Sequence, residues 1–219
     1  MPERTLSWRG LAVGAVALVV LALLVAAALR APYRAQVATD QLGPDRTEPV
    51  ADYLARSNDS LIGTDDEQHW ALVSFTEALA PQQIPEYGAG TRIAQVLHRV
   101  SIPRVQTPLV TVSVPEGAAA AVASAADAAW LLPRPVDDRA AAILDVSAAR
   151  LRAGCECTVG LVVRAPLPQL RNVAARYGVR AVQALPADAA AGYFGVVPLL
   201  PEYVDVVRPG PDDGDVPPA

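Results

Sequence analysis

TVGLVVRAPLPQLRNVAARYGVRAVQAL, residues 158–185, is the stretch on which the fold turns. Thr158 to Val163 is a short apolar run rich in valine, which reads as a strand. Pro168 suits the first turn of a helix, where its missing N–H costs nothing. Leu170, Val173, Ala174 and Tyr177 then recur at helical spacing, and Gly178 closes the helix. Val179 to Leu185 is a second strand. A strand, a crossover helix and a strand in about 28 residues predict two parallel neighbours joined by a right-handed connection.

Upstream, Asp137 or Asp138 can cap a helix running to about Arg152, with Ala140, Ile143, Leu144 and Leu151 on its apolar face and Gly154 at its end. Gly117 to Leu132 is Ala-rich and helical, ending before Pro133. Leu109 to Val114 alternates, with Val110, Val112 and Val114 on one side, and is the clearest half-buried strand. Ile93, Val96, Leu97 and Val100 stand at i, i+3, i+4 and i+7, which predicts a short helix stopped by Pro103. His98 would then sit near the C-terminal end of that helix, where a charged imidazole meets the dipole favourably. The Pro/Gly-rich segment from Ala80 to Gly90 reads as a loop, and His69 to Leu79 as a buried strand. Before it, Thr47 can cap a helix that places Val50, Tyr53 and Leu54 on one face, with Pro49 in its first turn.

Downstream, Tyr193 to Leu200 gives a last strand. Pro198 and Pro201 assign it to a sheet edge, because proline cannot donate to a ladder. The expected fold class is therefore α/β (or α+β): one mixed domain of about five strands, including a C-terminal β-α-β unit with parallel strands, over residues 50–207. Residues 208–219, rich in proline and aspartate, read as a disordered acidic tail.

The other decisive stretch is LAVGAVALVVLALLVAAAL, residues 11–29, which carries no charge and no proline. At about 1.5 Å per residue it spans about 28 Å, close to the hydrocarbon core of a bilayer. It reads as a transmembrane helix, with residues 1–10 as an N-terminal tail and residues 30–49 as a polar stalk. Trp8 suits the membrane interface. A cleaved signal peptide is the competitor, with Ala26 and Ala28 as a cleavage pair. The length of the run and the arginines at 30 and 34 favour an uncleaved signal-anchor. Arg4 and Arg9 nearly balance Arg30 and Arg34. The free α-amine and the habit of N-terminal anchors favour a cytoplasmic N-terminus and an extracytoplasmic domain at the cell membrane. Gly10 and Gly14, with Ala22 and Ala26, are spaced to let two such helices pack closely, which makes a homodimer one expected arrangement.

Charge narrows the partners. The chain holds 18 basic and 23 acidic residues, a net −5. Residues 1–30 hold Arg4, Arg9 and Arg30 against Glu3, so the part beyond the apolar run is more acidic than the whole. Such a surface does not attract phosphate backbones, and no nucleic acid partner is expected. Every basic residue is arginine. With abundant alanine, valine and proline, that bias is what GC-rich codons produce, as in an actinobacterium.

Little in the sequence carries chemistry. Cys155 and Cys157 are the only cysteines, too few for a disulfide scaffold. On an extended strand their Cα atoms would lie about 6.5–7 Å apart, at the limit of a disulfide. They can bridge only if the chain turns, as Gly154 permits. A structural bridge or two packed thiols is favoured over a redox pair, because Glu156 between them raises thiol pKa values. Asp65, Asp66, Glu67 and His69 could hold a hard cation through carboxylate oxygens. EF-hand spacing is absent, and a solvated loop is the commoner role for such a run. No GxSxG, HExxH, P-loop or GxGxxG occurs, and no cofactor is expected. The expectation is a non-enzymatic accessory or interaction module of a bacterial cell envelope, touching membrane lipid and a membrane or envelope protein. The alternatives are an extracytoplasmic thiol–disulfide redox protein and a small-molecule or ion-binding domain.

Overall fold

The computed structural model describes residues 40–219. The expected tail and transmembrane helix lie outside these residues, as do Gly10, Gly14, Ala22 and Ala26. Among the described residues no helix is long and apolar enough to cross a membrane.

A five-stranded sheet organises the described residues. Its strands are β2 (His69–Leu79), β3 (Arg92–His98), β4 (Val110–Ser113), β5 (Thr158–Ala165) and β6 (Val179–Ala184), in the order β4-β3-β5-β2-β6. Every neighbouring pair is antiparallel. A separate two-stranded parallel ribbon joins β1 (Asp40–Leu42) to β7 (Phe194–Val196). The fold class is thus mixed α/β, with helix α1 (Val50–Asp59), the one-turn helix α2 (Ile84–Tyr87), α3 (Ala118–Trp130), α4 (Asp138–Arg152) and α5 (Leu167–Ala174).

The strand–helix–strand reading of 158–185 meets the structure in its elements and fails in their adjacency. β5, α5 and β6 form, with Pro168 in the first turn of α5. The helix ends at Ala174, short of Gly178, and Tyr177 is exposed instead of joining its apolar face. But β5 and β6 both pair antiparallel with β2, one on each side of it. They run parallel to each other without touching, a split β-α-β unit. β2 and β3 repeat the device, because both pair antiparallel with β5. Each crossing therefore steps over one strand of the other. An 11-residue β2 that is apolar on both faces can fill a central position, and the local sequence of β5–β6 carries no sign of it.

The sheet is buried on both sides. Ala71, Val73 and Phe75 of β2, Leu161 and Val163 of β5 and Val182 of β6 pack against Ala121 and Ala128 of α3, Val146 of α4 and Leu170 of α5. On the opposite face Leu72, Leu97 and Val162 meet Leu42, Leu200 and the ribbon residues Phe194 and Val196. There α1 lays Val50 and Tyr53 against Ala181 and Leu199.

Several local expectations are corrected. Residues 93–98 are strand, not helix, and the register slips between Ile93 and Gln95. The bulge at Ala94 puts Ile93 and Val96, three apart, on one face, which imitates helical spacing. Residues 80–90 carry a 3-10 turn (Pro81–Gln83) and α2, where a loop was expected. Thr47 does not cap α1: Pro49 takes that position, and the Thr47 backbone N–H donates to the Val207 carbonyl. The last strand is three residues long and belongs to the ribbon, away from the main sheet.

Residues 40–49, expected in the stalk, are built into the domain through β1 and the fully buried Leu42. Gly43 (φ +116°) follows, and a Cβ there would lie 1.6 Å from the Val197 carbonyl oxygen. The acidic tail is docked as well. Asp212 accepts from the Gln106 backbone at 2.9 Å, the Gly214 N–H donates to the Arg104 carbonyl at 2.8 Å, and Val216 packs on the core. Composition judges the tail alone. Its carboxylates find donors in the distant turn after β3 and in Arg139 of α4.

Candidate functional site

α4 starts where the sequence placed it: the Asp137 carboxylate accepts from the Ala140 N–H at 2.7 Å. It ends at Arg152, and Gly154 (φ +73°) turns the chain. That turn brings the Cα atoms of Cys155 and Cys157 to 5.3 Å, and the two residues form a disulfide. Cys157 is buried and Cys155 half-buried. The Cys157 carbonyl accepts the Arg99 backbone N–H at 2.8 Å, so the disulfide loop is stitched to the end of β3.

Arg99 also lines a cleft of about 900 Å³ between the turn after β3 and residues 202–211. Its guanidinium pairs with Glu202. Arg104 and Arg208 stand on the rim with Asp205. A smaller recess of about 210 Å³ adjoins it, lined in part by Thr107, Leu109 and Leu200. Arg180 of β6 braces the far wall. It donates to the Leu200 carbonyl at 2.9 Å and also to that of Tyr203. Burial lowers the Arg180 pKa and raises that of the Tyr203 phenol. The cleft mixes guanidinium and carboxylate groups, which suits a polar ligand carrying both signs of charge. Among the described residues it presents no hydroxyl or thiol held by a base, the arrangement that nucleophilic catalysis needs. Sequence reading missed this cleft, because its residues are isolated charges in two turns about a hundred positions apart.

Of the four residues weighed for a cation, two meet. The His69 Nε2 donates to the Asp65 carboxylate at 2.8 Å and its Nδ1 to the Leu185 carbonyl at 2.8 Å. Both partners are acceptors, so the ring is satisfied only when both nitrogens carry protons. Burial alone pushes His69 down, but Asp65 and the Leu185 carbonyl outweigh it, and its pKa is raised. The same hydrogen bond lowers that of Asp65. Asp66 and Glu67 stay exposed. Among the described residues no three His, Cys, Asp or Glu side chains converge as metal ligands.

His98 is on β3 rather than a helix and is fully buried. Its Nε2 meets the Ser124 hydroxyl at 2.8 Å, and the Thr158 hydroxyl donates to its Nδ1 at 3.3 Å. Ser124 already donates to the Ala121 carbonyl, so Nε2 is the protonated nitrogen and the ring is neutral. Burial lowers its pKa to about 4.

No family model matches this chain, no curated protein matches it, and no solved structure matches it.

Proposed function

We propose that the protein is a single-pass, membrane-anchored component of a bacterial cell envelope, whose α/β domain lies on the extracytoplasmic side as a non-enzymatic accessory or interaction module. The apolar run at residues 11–29 is its anchor, and membrane lipid and an envelope protein are its partners. The observation that carries the reading is the Cys155–Cys157 disulfide, which takes up both cysteines of the chain. Disulfides persist in oxidising compartments and are rare in the cytoplasm.

Intact cells treated with an impermeant phosphine and then an impermeant maleimide test the placement. Cys155 is expected to label without permeabilisation. Labelling only after lysis overturns it. Alkaline carbonate tests the anchor: the intact polypeptide stays with the vesicles if residues 11–29 span the bilayer, and its release to the wash defeats that part of the reading. The redox alternative predicts loss of function in cells on Cys157→Ser.

The cleft beside Arg99 favours a second reading, a binding domain for a small polar ligand. Its volume of about 900 Å³ lies in the range of ligand sites. Amino acids and short peptides screened by thermal shift are expected to stabilise the protein but not its Arg99→Gln variant.

A further inference from the structure

Two arginines face each other across the sheet without an acid between them. Trp70 on β2 and Arg164 on β5 are register partners, as are Arg164 and Arg92 on β3. The three form a row across one face of the sheet, the face opposite α3–α5. The bulge at Ala94 brings Gln95 onto the same face, opposite Val162 and beside Ser113 of β4. Arg164 is exposed, with its guanidinium 5.4 Å from the centre of the Trp70 ring. Arg92 donates through Nη2 to the Val114 carbonyl at 2.9 Å. Its Nη1 is enclosed and has no acceptor, and the enclosed Gln95 Oε1 has no donor. None of the ion pairs among the described residues includes Arg92 or Arg164.

Two of these features, the facing arginines and the orphaned polar atoms, cost stability. Like charges directly opposite on neighbouring strands repel, and an enclosed polar atom without a partner forfeits its hydration. An anion seated between the two guanidiniums removes both costs. We propose that Arg92, Arg164 and Gln95 form a binding site for a phosphate group, with Trp70 as its wall. Charge selects phosphate over a single carboxylate: two guanidiniums match an anion of about −1.5 to −2. Geometry agrees, since guanidinium forks bind phosphate oxygens in pairs. Turning the Gln95 amide over puts its NH₂ where the orphaned oxygen now is, and the exposed Ser113 hydroxyl supplies a further donor. Arg164 is the outer jaw, held against Trp70 until the ligand arrives.

The phosphate can come from inorganic phosphate, a soluble phosphomonoester or a lipid headgroup, and the test separates them. Full-length protein in maltoside micelles is titrated calorimetrically with inorganic phosphate at constant ionic strength, then with glycerol 3-phosphate. In a third arm it is mixed with phosphatidylcholine vesicles with and without phosphatidic acid. One saturable site is expected in at least one arm. Arg164→Gln and Arg92→Gln should each weaken it tenfold or more, and Arg134→Gln, in the connection between α3 and α4, should leave it unchanged. Arg164 is exposed, so its variant keeps the wild-type circular dichroism and stays interpretable if Arg92→Gln misfolds. The proposal is overturned by the absence of saturable binding in all arms, by acetate competing as well as phosphate, or by Arg134→Gln weakening binding as much as Arg164→Gln.

Discussion

The two histidines of this chain are held in opposite protonation states by what surrounds them. His69 points both ring nitrogens at acceptors and is favoured as imidazolium. His98 sits between two hydroxyls in the core and is favoured neutral. Linkage gives them opposite signs. The His98 pKa falls from 6.5 unfolded to about 4 folded. Its contribution is present above pH 6.5 and is lost as pH falls toward 4, a change of roughly 3 kcal/mol. The raised pKa of His69 works the other way: its contribution is present below pH 6.5 and fades as pH rises through the folded value. Urea denaturation at a series of pH values checks both. His98→Asn should flatten the loss between pH 6.5 and 4 whatever its cost at neutrality, and His69→Asn should leave that loss in place. Tyr53 offers a simpler case. It is fully buried and its hydroxyl has no partner, so Tyr53→Phe should raise stability by about 1 kcal/mol, read as a higher urea midpoint at unchanged slope. Neither histidine's state was legible from sequence. The partners of His98 lie 26 and 60 residues away, and only the fold brings them to the ring.

At the scale of elements, what could be read depended on whether a segment's pattern was local. β4, α4 and the trio β5, α5 and β6 were legible because alternation, an Asp cap and a Pro-opened strand–helix–strand run are written within each segment. β3 was not, because a bulge at Ala94 shifts its apolar residues to the spacing of a helix. β1 was not, since a three-residue strand holds too few positions to show a period, and β7 was legible only as a longer strand over 193–200, without its partner. Their pairing rests instead on Gly43, whose φ of +116° and lack of a Cβ let the chain pass against the Val197 carbonyl. Gly43→Ala should therefore cost more than 2 kcal/mol, since both strain and a backbone clash act there. Hydrogen exchange would locate the damage: amides of residues 40–43 and 194–197 lose protection while β5 keeps it. The α4 cap predicts a smaller loss. Asp137→Ala removes one acceptor at an exposed N-terminus and should cost about 1 kcal/mol, seen in the same urea experiment.

For the whole molecule, the question is what keeps the domain folded. A disulfide stabilises chiefly by restricting the unfolded chain, and in the loop-entropy account the effect grows with loop length. The bridge here spans a sequence separation of two, so that account assigns it only about 1–2 kcal/mol. The core is of another order. Two apolar layers cover the two faces of the sheet, with Phe75, Leu161 and Leu170 fully buried in one and Leu42, Leu72 and Leu97 in the other, and burying one such side chain is worth about 1.5–3 kcal/mol. Reduction should therefore leave the fold intact. The double variant Cys155→Ser, Cys157→Ser is expected to keep the wild-type circular dichroism and to lose no more than about 2 kcal/mol in urea. Its damage should stay local, in hydrogen exchange at residues 153–157 and at Arg99, whose N–H is anchored by the Cys157 carbonyl. If reduction instead unfolded the whole sheet, the domain would depend on its bridge in the manner of small secreted scaffolds, and the two-layer core could not be what holds it together.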